Sequence, residues 1–326
     1  MNLRLSVIVP TFNADSTLPE CLQGLRRAIG TDDEVIVADD GSPVPPMDVV
    51  ESIGDPRFRL VASPINIGRG PVRNLGASKA TGDVVVFVDA DVVVHEDALE
   101  MIRSRMSAGS SCLFGSYDDA PPAGGIVSKY RNLLHHFTHQ TKGRSATHFW
   151  TGLGAVRRDV YLTLGGLNKD QWARNMEDVE FGHRVVDAGL TVDVHPEIQG
   201  THLKNFTFGR MVRTDLFNRA VPWSRLILED PKHLDRFVVS WSQRMSAILT
   251  GIIGASLLVS PFLPAVLLVT LACTVMFAAL NRKLLRFFTR RMGIRFAFAA
   301  LILHMVHSGL SLLGFVAAVS TAWRRH

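Results

Sequence analysis

Val84-Val85-Val86-Phe87-Val88-Asp89-Ala90-Asp91 is the stretch on which the reading of this chain turns. Five apolar residues without polar alternation read as a strand buried on both faces, as in the middle of a parallel sheet. Two carboxylates follow where that strand emerges, the place where open α/β sheets bind ligands. Hard oxygen ligands there suit a divalent ion holding a phosphate-bearing substrate. A solvated strand end has the same pattern, so the weight falls on the surrounding sequence.

Strand signals recur at Leu5–Val9, Glu34–Ala38 and Phe58–Ala62, separated by segments of helical composition such as Ser16–Ile29 and Pro71–Ala80. Strands alternating with helices predict an α/β fold with a mostly parallel, Rossmann-like sheet. The first strand ends in Pro10-Thr11-Phe12-Asn13, the second in Asp39-Asp40-Gly41-Ser42 and the fourth in Asp89-Ala90-Asp91. Three converging polar ends predict a pocket. After the third strand, Asn66-Ile67-Gly68-Arg69-Gly70-Pro71-Val72-Arg73-Asn74 is a glycine-bearing turn entering a helix, and Arg69 and Arg73 suit phosphate oxygens there. Gly68-x-Gly70-x-x-Arg73 and Gly152-x-Gly154-x-x-Arg157 lack the last glycine of the dinucleotide fingerprint, and neither follows the first strand. No P-loop is present.

The 326 residues suffice for one large domain with an appendage, or for two domains. Residues 236–326 carry ten Lys/Arg and no Asp or Glu; the first 235 hold the other 25 basic and all 30 acidic residues. A mildly acidic part followed by a cationic, apolar one points to a membrane and away from nucleic acid. Cys21, Cys112 and Cys273 are isolated and lack metal-ligand spacing, which fits a reduced, cytoplasmic setting. The stretch Leu5–Val9 is too short for a secretory signal. Met245–Leu280 is almost wholly apolar and too long for one span, so Pro261 and Pro264 are expected to divide it; Phe296–Trp323 is a third apolar segment. Between them residues 282–291 form a basic amphipathic stretch suited to an anionic membrane surface and, by the positive-inside rule, to the cytoplasmic side. Three spans would put Arg324 and Arg325 on the opposite side, so one segment is alternatively re-entrant.

Taken in order, Ser6-Val7-Ile8-Val9-Pro10-Thr11-Phe12-Asn13, Val35 to Ser42, Arg73-Asn74-x-Gly76, Asp89-Ala90-Asp91 and Asn175-Met176-Glu177-Asp178 resemble family 2 glycosyltransferases of the GT-A fold. The resemblance covers roughly residues 3–205. It implies inverting transfer of a sugar from a nucleotide diphosphate sugar with a divalent ion, Mg2+ or Mn2+. Carried over, Pro10, Thr11, Asn13 and Asp40 border the nucleotide, Asp40 nearest the base. Arg69, Arg73 and Asp89 complete the donor side, with Asp89 facing the ribose or the metal's waters. Asp91 is the expected metal ligand, and His202 in Gly200-Thr201-His202-Leu203 is either a third ligand or structural. Asp178 is the expected general base beside Glu177, where a charged helix start is the plainer alternative. Trp150 and Gly152 resemble an acceptor-side wall, with core packing open for Trp150. His135, His136, His139 and His148 lack a carboxylate or cysteine to complete a zinc set. The Gln-x-x-Arg-Trp motif of processive relatives is replaced by Arg219-Ala220-Val221-Pro222-Trp223, so Arg219 and Trp223 are expected at an interfacial acceptor site serving transfer of one or few sugars.

The expected organisation is a GT-A domain over 1–205, an interfacial connector over 206–244 and a membrane region over 245–326, with the catalytic part on the cytoplasmic face of a multi-pass membrane protein. A base such as Asp178 favours a hydroxyl acceptor on a membrane lipid, lipid-linked saccharide or envelope glycan. Polyprenyl phosphate, already an anion, is the alternative. A sugar nucleotidyltransferase would need a Gly-rich opening loop that Pro10–Asn13 is not. A membrane-anchored binding or scaffold protein is the non-catalytic rival, against which intact Asp89, Asp91 and Asp178 weigh.

Overall fold

The computed structural model describes residues 3–13, 16–122, 124–141, 143–168, 176–229 and 240–323. Asn175, Arg324 and Arg325 lie outside the described residues. The chain forms two compact units, residues 1–123 with 138–205, and 124–137 with 206–326.

The first unit is built on one mixed sheet. Its strands are β1 (Leu5–Thr11), β2 (Glu34–Asp39), β3 (Phe58–Ala62), β4 (Val84–Val88), β5 (Val92–Val94), β6 (Cys112–Tyr117), β7 (Ser145–Ala146), β8 (Leu153–Arg157) and β9 (Val192–His202), in the order β3-β2-β1-β4-β8-β6-β9-β5 with β7 beside β9. Pairing is parallel from β3 to β4, and β8 then enters antiparallel. All five residues of β4 are fully buried, as the unalternating apolar run requires. The helices α1 (Leu18–Ala28), α2 (Met47–Glu51), α3 (Arg69–Ser78), α4 (Ala98–Ser107), α6 (Arg158–Thr163) and α7 (Glu177–Asp187) belong to this unit, while α5 (Ile126–Thr141) is shared between the two. Apolar side chains from alternate strand positions divide into two cores. One holds Val7, Val9, Val35, Val37, Val84 and Val86 with Leu22 and Leu25 of α1. The other holds Ile8, Ile36, Val85 and Phe87 with Val72 of α3 and Phe181 of α7. This period-two division is what a two-faced sheet imposes.

Helix α3 lies close on the sheet because Gly76 has no side chain: a Cβ there would sit 2.6 Å from Ile8 Cγ2 and 3.2 Å from the Ala38 Cβ. A salt bridge supports the opposite end of β1. Asp33 accepts from the Leu5 and Gly30 amides at 2.9 Å each and pairs with Arg103 Nη2 at 2.7 Å, with Leu5, Asp33 and Arg103 buried.

The second unit is helical among its described residues: α8 (Phe208–Arg213), a π-helical turn (Thr214–Ala220), α9 (Val221–Glu229), α10 (Trp241–Val259), α11 (Leu267–Leu280), α12 (Arg282–Met292) and α13 (Ile294–Trp323). α10 ends just before Pro261 and a short 3-10 turn begins at Pro264, so the long apolar stretch divides where the prolines predict. Among the described residues two helices, Trp241–Val259 and Ile294–Thr321, are long and apolar enough to cross a membrane. The pair Pro264–Leu280 and Arg282–Met292 is bent by 73°, a broken span or a re-entrant loop. Tyr130, Leu133, Met211, Leu284, Phe288, Phe296 and Ala300 form this unit's core. A polar chain crosses it: Arg131 pairs with Asp215 at 2.8 Å, Asp215 meets His307 Nδ1 at 2.8 Å, and His304 joins Tyr130 at 2.9 Å to Asn281 at 3.1 Å. Buried polar groups persist in apolar surroundings only when paired in this way.

Gly76→Ala should destabilise the protein by about 1–3 kcal/mol through overpacking against Ile8. A thermal melt in detergent checks this, and an unchanged midpoint would contradict the close approach of α3.

Candidate active site at the strand ends

The loops after β1 and β2 are tied to each other and to the turn before α3. Asp39 is fully buried and accepts from the Ser42 amide at 3.0 Å and the Ser42 hydroxyl at 2.5 Å, while Ser42 Oγ accepts from the Asn13 amide at 2.7 Å. Asn13 takes a left-handed conformation, φ 60°, which asparagine tolerates better than most residues. Gly41, φ 72°, lets the β2 loop pass against Ile65. Asp40, also buried, accepts from the Ile67 amide at 2.7 Å and the Gly68 amide at 3.0 Å, fixing the entry to α3. Asn13 and Asp40, two of the four expected donor-side residues of these loops, are therefore anchored, and the buried Thr11 Oγ1 has no hydrogen-bond partner. Pro10 is half-buried beside it and Arg69 is exposed at the start of α3.

Three residues of α3 have separate tasks. Gly76 seats the helix. Asn74 exchanges hydrogen bonds with the Leu167 backbone, at 2.7 and 2.9 Å, and receives the Tyr161 hydroxyl. Arg73 turns towards the end of β4: Nη2 meets Asp89 Oδ1 at 2.6 Å, and Nη1 lies 3.5 Å from Glu177 Oε1 at the start of α7. Its side chain is only 6% exposed, so the charge stands behind the carboxylates and acts through them. Burial works against that charge, but Asp89 and Glu177 outweigh it and keep the guanidinium ionised. Glu177 Oε2 and Arg73 Nε remain buried and unpartnered.

Asp178 follows in the first turn of α7. Its carbonyl accepts from the Phe149 amide at 3.3 Å, and Gly182 admits the chain at His148 and Phe149 against the helix, since a Cβ there would lie 2.2 Å from the Phe149 nitrogen. The Asp178 carboxyl accepts from the Val179 amide at 2.9 Å. Burial pushes its pKa up, Glu177 adds to this, and Arg73 and the Val179 amide offset part of it, leaving the group at about 7. That is the range in which a carboxylate works as a base near neutral pH.

Asp91 lies on the other side of the strand end. Lys204 Nζ is 3.0 Å and His202 Nε2 3.6 Å from its Oδ2. Burial raises the Asp91 pKa, but His202 and Lys204 outweigh it and hold the carboxyl well below its usual range. The β5–β9 pairing sets this up by placing Val92 opposite His202, with the Leu203 amide on the Asp91 carbonyl at 2.8 Å. His202 stacks on Tyr117, centroids 4.1 Å apart and rings 5° from parallel. Among the described residues no three His, Cys, Asp or Glu side chains surround one point. Asp91 and His202 are adjacent, whereas Asp89, expected with them, is drawn to Arg73. An oxygen and an imidazole ligand fit an ion whose remaining positions are filled by substrate oxygens and water.

Trp150 packs edge-on against Tyr117 and His139, with centroids 4.8 Å away in both cases. Gly152 makes room for the indole, because a Cβ would fall 2.4 Å from Trp150 Cζ2; its carbonyl accepts the Asp89 amide at 3.2 Å. His148 packs on Phe114 and His136 stacks on Phe287. Arg219 and Trp223 belong to the second unit, Arg219 exposed on the π-helical turn and Trp223 half-buried in α9. Asn74 entered the sequence reading only within Arg73-Asn74-x-Gly76, and Tyr117 and Lys204 were not singled out. Lys204 lies two residues past His202, beyond the end of β9, where no strand alternation marks it.

Residues 6–165 match the family model for glycosyl transferase family 2. Validoxylamine A glucosyltransferase of Streptomyces hygroscopicus subsp. limoneus is 26% identical over 260 residues, 67% of this chain and 57% of that protein. GalNAc(5)-diNAcBac-PP-undecaprenol beta-1,3-glucosyltransferase of Campylobacter jejuni subsp. jejuni serotype O:2 is 32% identical over 139 residues, 41% of this chain and 42% of that one. The chain thus spans less than two thirds of these relatives. Mannosyltransferase PcManGT of Pyrobaculum calidifontis, solved in complex with GDP-Man and Mn2+, superposes with a TM-score of 0.59 at 18% identity, covering 100% of this chain and 89% of that one. At that identity the likeness concerns the fold, which is GT-A. Residues 6–165 are thus similar to glycosyl transferase family 2, and the chain has the GT-A fold.

Proposed function

We propose that this protein is a membrane-anchored, inverting glycosyltransferase that moves a sugar from a nucleotide diphosphate sugar to a hydroxyl of a membrane lipid, lipid-linked saccharide or envelope glycan. The observation that carries the reading is the bridge from Asp89 through Arg73 to Glu177, beside an Asp178 whose pKa is raised to about 7. The Campylobacter relative, named for a lipid-linked saccharide, supports the acceptor class, and the GDP-Man and Mn2+ of the Pyrobaculum enzyme support the donor class and the ion.

In this reading Pro10, Thr11, Asn13 and Asp40 frame the nucleotide. The free Thr11 hydroxyl takes a hydrogen bond from or to it, and Asp40 keeps the framing loops rigid. Asp89, held by Arg73, faces the ribose, with Arg69 at the helix entry. Asp91 and His202 hold Mg2+ or Mn2+, which when bound neutralises charge on the departing diphosphate. Asp178 takes the proton of the acceptor hydroxyl as its oxygen bonds to C1 and the bond from C1 to the diphosphate oxygen breaks. Attack from the side opposite the leaving group inverts the anomeric centre. Glu177 raises the basicity of Asp178, and Trp150 over Gly152 walls the acceptor side. The proposal includes a transfer domain through residue 205, a connector over 206–244 bearing Arg219 and Trp223, and a multi-pass membrane region over 245–326 with the catalytic part facing the cytoplasm.

Incubating the purified protein in detergent with nucleotide sugars, Mn2+ or Mg2+ and membrane lipid extract should release nucleotide diphosphate and label a lipid. No release with any donor would contradict the transferase reading. Asp178→Asn should lower turnover roughly 10²–10⁴-fold with nucleotide affinity retained. A folded variant losing less than about tenfold, with chemistry rate-limiting, would move the acceptor to polyprenyl phosphate.

The pH dependence has a fixed sign. A base must be ionised, so the wild-type kcat/KM should fall about tenfold per pH unit below about 7 and level off above it. The folded pKa lies above the ordinary 3.8, so Asp178 costs the fold nothing at low pH and opposes folding increasingly as pH rises towards 7. Asp178→Asn should therefore stabilise the protein more at about pH 8 than at about pH 5 in thermal melts. Equal shifts at both would contradict the raised pKa.

Full-length protein should stay with the membrane fraction through alkaline carbonate extraction. Recovery in the supernatant would contradict the spans.

A further inference from the structure

Lys204 has no part in the chemistry above, yet its ammonium lies 3.0 Å from Asp91 Oδ2, beside the carboxylate assigned to the ion. The two partners differ in exposure and length. Asp91 is 14% exposed and fixed through its backbone to Leu203 at 2.8 Å, whereas Lys204 is 41% exposed on a four-carbon stem. The ammonium can thus leave while β5 and β9 stay paired. An ion arriving alone must displace Lys204 from Asp91, bringing two positive centres together at one carboxylate. An ion arriving with a diphosphate brings an anion to which the displaced ammonium can turn.

We propose that Lys204 is a built-in stand-in for the cation at Asp91, making metal uptake conditional on the nucleotide diphosphate. The ammonium guards the carboxylate in the free enzyme, then passes to the diphosphate oxygens when metal and nucleotide enter. This is a coupling between two ligands through one movable charge, and by linkage it is reciprocal: nucleotide strengthens metal binding by the factor by which metal strengthens nucleotide binding. The inference rests on the proposed donor site and adds an order of filling to it, in which free metal binds poorly and the nucleotide–metal pair binds well.

The test is Mn2+ binding to full-length protein in detergent, read by calorimetry and by the paramagnetic resonance of free Mn2+, alone and with saturating UDP or GDP, without any turnover. In wild type, Mn2+ alone should bind weakly, and one of the two nucleotides should tighten it by a factor of about 5–150, the usual range of such couplings. In Lys204→Met, Mn2+ alone should bind at least about fivefold tighter, nucleotide with Mn2+ should bind more weakly, and the coupling factor should shrink. Lys204→Arg, which keeps a long cation, should restore most of the coupling. Unchanged Mn2+ affinity and unchanged coupling in Lys204→Met would overturn the stand-in role while leaving the donor site intact. Failure of Mn2+ to bind with either nucleotide in wild type would overturn this inference and the donor-site reading together. Circular dichroism of the exposed-site variant checks that the fold is unaltered.

Discussion

The buried guanidinium of Arg73 is the interaction on which the site depends. It is placed by α3, whose approach to the sheet Gly76 permits, and it reaches the end of β4 at Asp89 and the start of α7 at Glu177. Two elements far apart in sequence thus share one cation. Without it, the carboxylates of Asp89 and Glu177 would lose the cation that both face. With it, Arg73 offsets part of the rise that burial and Glu177 impose on Asp178 but does not cancel it. That imbalance leaves the pKa of the Asp178 carboxyl at about 7, the property on which its proposed role as base rests.

Much of this was legible in the sequence because it follows from local chemistry. Val84 to Val88 read as a buried strand, and the polar ends at Thr11, Asp40 and Asp89 read as a pocket, because apolar runs and strand ends have only a few uses in an α/β sheet. Pro261 and Pro264 divided the apolar tail as the loss of helix donors demands. Arg73 was read as suiting phosphate oxygens; its side chain lies buried in ion pairs with Asp89 and Glu177, partners that depend on which way α3 faces. The antiparallel entry of β8, the stacking of Tyr117 on His202 and the tie from Asn74 to Leu167 join residues tens of positions apart, so no local spacing announces them. The Arg131, Asp215 and His307 chain escaped notice for the same reason.

The apolar half places its charges consistently. Residues 236–326 carry cations without any acidic side chain, and α12 gathers five of them on a helix whose Leu284 and Phe288 face inwards. Such a helix favours the boundary between lipid and water, where apolar and cationic faces are both satisfied. Inside the unit, His304 and His307 would be costly in an apolar helix if unpaired, and Tyr130, Asn281 and Asp215 meet them. The π-helical turn that carries Asp215 fits a segment where regular helix geometry yields to such a contact.

The central claim is that the strand ends gathered around Arg73 receive a nucleotide diphosphate and a divalent ion. A crystal of the protein grown with Mn2+ and UDP or GDP, measured at the manganese edge, tests this most directly. The account predicts one anomalous peak within about 2.5 Å of an Asp91 carboxylate oxygen, in contact with the diphosphate, and the base beside Thr11 and Asp40. A nucleotide bound away from these loops, or an ion with no contact to Asp91, would contradict it.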